Sequence, residues 1–348
     1  MFKSKTVFII GAGASQEANL PIGKDLTLEI ARLLQPTKDE WGHWTVSDSA
    51  IRDAAINTSR GSAEAAQWQS KLNAARAISE AMPIAPSIDT FVETHRESAD
   101  MVLMAKIGIA RAIQMAEQGS RLKPNDRSEP FNPIRVGGTW YISLAQQLFT
   151  GIPADRPQDA FQNVAFIVFN YDRCLEVFLT RAVELFFQIP AMHAAQIVQN
   201  ATILHPYGDL GSVFNGNHYH VPFAPSGLDL VKAADQIKTF SESVSDDELH
   251  GKIRDEVRDA RKLVFLGFGF HPQNLRLLSD PDSYGFEPTK ARQIFATTCG
   301  MSKSDTEVVK GQLVYSLMAQ PDVGRMRMET YDRECASFFT EYWRSLAA

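Results

Sequence analysis

Thr6-Val-Phe-Ile-Ile10, running without a break into Gly11-Ala-Gly-Ala-Ser15, is the stretch that decides the fold. The apolar run reads as a short buried strand. Glycines at 11 and 13, between a strand and a helix, let the backbone turn sharply and approach a pyrophosphate, while the helix N-terminus supplies N–H donors and a favourable dipole. Gln16 stands where a third glycine of the dinucleotide fingerprint belongs. The acidic residue expected about 20 positions on, at the tip of a second strand, is also missing, because the chain continues as helix. The loop is therefore not the dehydrogenase fingerprint. Taken alone it also fits a tight strand–helix turn with no ligand.

Working outward, Leu20, Pro21 and Gly23 open a helix carried by Leu26, Ile30, Leu33 and Leu34 at helical spacing. From about residue 35 to 160 the chain is rich in Ala, Gln, Glu, Ser and Arg, with stretches such as GSAEAAQWQSKLNAARAISEAM (61–82) that read as helix and no β-rich run. Strands return at Val164–Phe169, Ala201–Leu204, Leu263–Leu266, Gln293–Ala296 and Met326–Thr330. Helices are expected between them at 272–279, 304–319 and 332–346. Strands alternating with helices predict an α/β fold, a Rossmann-like, doubly wound parallel sheet. The expected organisation is a core of residues 1–35 and 160–348, with residues 36–159 as a helical insertion between the first and second sheet strands. That insertion is the candidate lid or assembly surface.

Composition narrows the function classes. The net charge of −6, without a basic run, argues against direct nucleic-acid binding. No apolar run reaches the ~18 residues of a membrane helix, and the N-terminus runs straight into the glycine loop with no signal peptide. Both point to a cytoplasmic protein. Cys174, Cys299 and Cys335 are odd in number and widely spaced, which argues against a disulfide framework and a structural zinc site. His218-x-His220 puts two rings on one strand face without an obvious third ligand, so no metal is expected. Trp41-Gly-His-Trp44 reads as a packed loop or a stacking surface, and Glu242–Asp247 as a solvated acidic loop.

Three further strand ends carry polar or glycine-rich residues: Asn170-Tyr-Asp172, His205-Pro-Tyr-Gly208 and Gly267-Phe-Gly269-Phe-His271-Pro272. In open α/β sheets, ligands bind at the carboxyl ends of the strands, near the switch in strand order. Each segment also has a plain reading. Asn170 and Asp172 are good helix caps, His205 fits an ordinary turn, and the glycines fit a tight bend. Four such strand ends in one chain point to a site.

GAGAS after the first strand, FNYD after the second, His-x-x-Gly after the third and LGFGF after the fourth together resemble the sirtuin superfamily. The similarity is closer to its bacterial sirtuin-like branch, many of whose members hydrolyse NAD⁺ in antiphage defence. Leu20-Pro-x-Gly23 and Ser87-Ile-Asp-Thr-Phe91 also look like that branch. The resemblance covers about residues 5–35 and 160–300. The chain departs from sirtuin deacylases in lacking four zinc-binding cysteines, in having Lys24-Asp25 in place of Phe-Arg, and in placing Pro206 and Tyr207 between histidine and glycine.

The resemblance implies an NAD⁺ glycohydrolase, a hydrolase that releases nicotinamide and leaves ADP-ribose, with NAD⁺ as substrate. Because nicotinamide leaves neutral, no general acid is needed on it, and the ribose develops oxocarbenium character as in other glycoside cleavages. Asn170 then orients the ribose or the attacking water, His205 serves as general base, and Asp172 binds the carboxamide. Gly11, Ala12, Gly13 and Ser15 would hold the pyrophosphate. Gly267, Gly269 and Asn274 would line the adenosine side, with Thr297, Thr298 and Ser302 near the adenine. The alternatives are a non-hydrolysing NAD⁺ or ADP-ribose sensor and a protein ADP-ribosyltransferase or deacylase. An effector of this kind must be silent in healthy cells, so control is expected from a homo-oligomer or a separately encoded regulatory partner, an ATPase among the candidates.

Overall fold

The computed structural model describes residues 2–59, 63–125, 130–216, 219–280, 282, 285, 287–291, 293–317 and 327–348. Its strands are β1 (Thr6–Ile10), β2 (Pro36–Lys38), β3 (Trp44–Val46), β4 (Val164–Val168), β5 (Thr202–Leu204), β6 (Lys262–Leu266), β7 (Gln293–Thr297) and β8 (Arg327–Tyr331). Six form one sheet in the order β5-β4-β1-β6-β7-β8, and every pairing is parallel. Counted within the sheet, that is the 3-2-1-4-5-6 order of the Rossmann fold, and the order reverses at the β1–β6 boundary. The expected doubly wound α/β fold is the observed one, and no described helix is long and apolar enough to cross a membrane.

The chain divides into two compact units: residues 1–18, 121–206 and 243–348, and residues 19–120 and 207–242. The sequence patterns put the boundaries at 35 and 159 instead.

The first unit holds the sheet. Register aligns Phe166, Phe8, Val264 and Phe295 in one row across β4, β1, β6 and β7, so all four face the same side. The Phe8 ring stacks on Phe166 and on Phe339, and Phe339 stacks on Trp140. The helices Trp140–Phe149 and Cys335–Ala347 therefore cover that face. Parallel strands buried on both sides read as unbroken apolar runs, and β1, β4 and β6 are buried at every position.

Residues 121–159 join this unit because Trp140 is wholly buried and its indole N–H donates to the Ala14 carbonyl at 2.8 Å. Glu17 ties the same helices together, accepting from the backbone N–H of both Trp140 and Ala336 at 2.8 Å.

The second unit is built on the helix Ala99–Gly119, against which the helices Gly23–Leu33 and Glu64–Ala81 pack. Gly108 permits the close approach, since a Cβ there would meet Leu34 Cδ1 at 3.2 Å and Ile30 Cγ2 at 3.3 Å. Helix is the expected state of this region, but β2 and β3 form a two-stranded antiparallel hairpin that the sequence does not announce. Trp41 at its turn is 74% exposed, so the packed-loop reading does not hold there, while Trp44 lies under the cationic groups of Lys38 and Arg76. The acidic stretch after Glu242 is not a loop throughout: Asp246 caps the helix Asp247–Asp259 by accepting from Leu249 N–H.

Candidate functional site

Gly11 follows β1, Asn170 and Asp172 follow β4, His205 follows β5, Gly267 follows β6, and Thr297 ends β7. All sit at carboxyl ends of neighbouring parallel strands. The sheet thus gathers residues from 11 to 297 along one edge, astride the reversal in strand order.

The glycines meet at the β1–β6 boundary. Gly11 N–H donates to Leu266 O at 2.9 Å and Gly13 N–H to Gly267 O at 3.0 Å. A Cβ on Gly11 would stand 2.5 Å from Gly267 O and 2.7 Å from Phe268 Cα. A Cβ on Gly267, whose φ is +55°, would run into Gly13 and the Ala14 nitrogen. Backbone packing alone therefore requires glycine at 11, 13 and 267, ligand or none. Thr297 braces this junction: its hydroxyl accepts from Gly267 N–H at 2.8 Å and donates to Phe265 O at 3.3 Å.

Ser15 is the hub of a buried polar cluster. The Asn170 amide donates to the Ser15 hydroxyl at 2.7 Å and to the Gly11 carbonyl at 3.1 Å. The nearby Ser15 hydroxyl favours the ionised forms of both the Asp172 carboxyl and the Tyr141 phenol. Asp172 also accepts from Cys174 N–H at 3.0 Å, at the first residue of the helix Cys174–Phe187, whose N-cap position is Arg173. Burial raises the Asp172 carboxyl above its ordinary range in spite of these donors. Burial likewise drives the Tyr141 phenol well above its usual value, aided by the nearby Cys174 and Asp172.

His205 sits against Glu176. Its Nε2 is 2.6 Å from Glu176 Oε1, its Nδ1 is 3.3 Å from the Asn170 carbonyl, and both side chains are 9% exposed. Burial alone would raise the Glu176 carboxyl, but the His205 ring and the Arg173 guanidinium overcome it and hold the carboxyl below its ordinary value. Glu176 Oε2 is buried with no protein partner. Sequence patterns singled out neither Glu176 nor Tyr141. An acidic residue in a first helical turn is commonplace, and Tyr141 comes from a segment assigned to the insertion.

The remaining expected residues are dispersed. Ala12 begins the short helix Ala12–Ser15 and is half-buried. Gly269 is exposed, with open space where a Cβ would stand. Asn274 lies in the first turn of the helix Pro272–Leu278 and is half-buried. Thr298 is buried and bonds through its N–H to Tyr331 O. Ser302 caps the following helix by accepting from Asp305 N–H at 3.0 Å. His218 lies outside the described residues, so the His218-x-His220 pair does too. Among the described residues, no three or more His, Cys, Asp or Glu side chains converge as metal ligands would.

Two loop N–H groups, those of Gly11 and Gly13, are spent on the backbone, while Gly269 is open and the Ser15–Asn170–Asp172–His205–Glu176 set offers buried donors and acceptors. The chain matches no protein-family model, and no curated protein matches it.

Proposed function

We propose that the protein is an NAD⁺ glycohydrolase of the sirtuin-like kind, cleaving NAD⁺ to nicotinamide and ADP-ribose at the carboxyl edge of the β5-β4-β1-β6 strands. One observation carries the reading: Ser15, Asn170, Asp172 and Glu176 are all buried close to adjacent strand ends, and Asn170 and Glu176 each contact His205, with Asn170 bonded to Ser15. Buried polar groups cost stability unless fully paired, and titratable groups shifted by burial and charge partners cluster at functional sites. The motif resemblance supplies the substrate. Asn170 and His205, joined through the Asn170 carbonyl, are the residues for orienting and deprotonating a hydroxyl. Asp172 lies beside Ser15 in the same cluster.

On this reading NAD⁺ is substrate and no metal takes part. The family habit makes the protein a NAD⁺-depleting effector in antiviral defence, restrained by a homo-oligomer or by a separately encoded regulator such as an ATPase. A second reading has its own support. With both ring nitrogens of His205 against acceptors, the resting site suits the binding of NAD⁺ or ADP-ribose without turnover, as in a sensor.

Nicotinamide release from NAD⁺ by the whole chain tests the first reading. Asn170→Ala and His205→Ala are each expected to lower the rate by about 10²–10⁴. Undiminished turnover in both variants would move the chemistry elsewhere. ADP-ribose binding without turnover by the wild type would favour the sensor.

A further inference from the structure

We infer that Glu176 is the positioning residue of the site: it holds His205 by Nε2 and leaves Nδ1 as the nitrogen that meets a ligand hydroxyl or water. The inference rests on the reading of His205 as the base of an NAD⁺-cleaving site, which it deepens.

The geometry distinguishes the two ring nitrogens. The Nε2–Glu176 contact is 2.6 Å, the length of a strong charge-assisted bond, whereas Nδ1 stands 3.3 Å from the Asn170 carbonyl, at the long end for any hydrogen bond. A carboxylate accepts only, so it fixes the proton on Nε2 and makes Nδ1 the basic nitrogen of the neutral ring. In that neutral ring the Nδ1 lone pair faces the Asn170 carbonyl, itself an acceptor, so this contact is no hydrogen bond and an incoming hydroxyl can take its place. Proton balance follows directly. Nδ1 takes the proton of the water or hydroxyl, the ring becomes imidazolium with its Nε2 proton in place, and the Glu176 carboxylate meets the new charge without being protonated itself.

The surroundings favour an ionised Glu176. His205 faces it from the end of β5, and Arg173 lies at the start of its own helix. Asp172, the other nearby carboxyl, is itself raised by burial. Glu176 Oε2, buried and without a protein partner, leaves the carboxylate incompletely satisfied by its present bonds. A carboxyl kept only to finish a helix end has no need of such a position, since exposed acids serve first turns equally well.

The experiment follows the His205 ring by NMR titration of the full chain, with His205→Gln identifying its signal, in the wild type, Glu176→Gln and Glu176→Asp. Glu176→Gln keeps the shape and removes the charge. Its imidazole is expected to titrate about one pH unit or more lower than in the wild type, with Glu176→Asp restoring part of the shift. Nicotinamide release is read in parallel, and the limb of its pH profile set by the base is expected to move with the ring. An unchanged His205 titration in a folded Glu176→Gln protein overturns the positioning role. If the wild type releases no nicotinamide, the glycohydrolase reading fails by itself, and the ring titration still decides whether Glu176 governs His205.

Discussion

At the scale of the residue, Asp172 is a carboxyl that its own burial works against. Its carboxyl is raised by burial, which outweighs the Cys174 N–H and the Ser15 hydroxyl. With a folded value above the unfolded one, its favourable contribution is complete below the unfolded pKa and is lost as pH rises through the folded pKa. Above its folded pKa, ionised Asp172 therefore costs stability. Asp172→Asn keeps an acceptor for Cys174 N–H and removes the charge. The variant is expected to unfold at a higher temperature than the wild type at about pH 8, with the gap shrinking at lower pH as the wild-type carboxyl protonates. Calorimetric scans across pH read this directly, and a lower midpoint at about pH 8 would count against a costly buried charge. Glu176 has the opposite sign. Held below its ordinary value by His205 and Arg173, it contributes stability above its unfolded pKa, and that contribution is lost as pH falls through its folded one. Two carboxyls within one helical turn thus pull the pH profile in opposite directions.

At the scale of the element, Glu17 joins two helices distant in sequence. One carboxyl accepts from the N-terminal N–H groups of Trp140–Phe149 and Cys335–Ala347. Each helix leaves its first N–H groups unpaired, and a carboxylate has two oxygens for them. Glu17→Gln offers one acceptor and turns an amide N–H₂ toward the other donor. It is expected to cost about 1–3 kcal/mol, measurable by urea unfolding, and an unchanged midpoint would show that water serves these helix ends equally well. This bond also marks the limit of what the sequence reveals. The strands of the sheet were legible because residues buried on both faces form unbroken apolar runs, as in Thr6–Ile10 and Val164–Val168. The hairpin Pro36–Lys38/Trp44–Val46 was not, because three-residue strands carry too little alternation and Pro36 argues against a strand. Gly11, Asn170 and His205 were legible as candidate-site residues because a parallel sheet delivers its strand ends to one edge. Glu176 and Tyr141 were not, because what marks them is a contact with His205 or Ser15 that only the folded chain makes.

At the scale of the whole molecule, the glycines separate the demands of the fold from those of a ligand. Gly11, Gly13 and Gly267 are held by backbone packing, so substituting them tests folding and binding at once. Gly269 is different: it is exposed, its φ is not in the left-handed region, and a Cβ there meets nothing within 4 Å. Gly269→Asp therefore places a negative charge beside the β6 end at little cost to the fold. A ligand that binds only the folded state stabilises it in proportion to the logarithm of its concentration over Kd, by about 2.7 kcal/mol at 100 times Kd. ADP-ribose is accordingly expected to raise the unfolding temperature of the wild-type chain. Gly269→Asp should unfold like the wild type without ligand yet need about tenfold more ADP-ribose for the same rise, because its carboxylate repels the pyrophosphate. A variant that responds like the wild type places the nucleotide away from the β6 end and removes Gly269 from the site. No response from the wild type itself would remove the nucleotide, and the buried cluster around Ser15 would then have to be explained by folding alone, against the cost that burying Asp172 imposes.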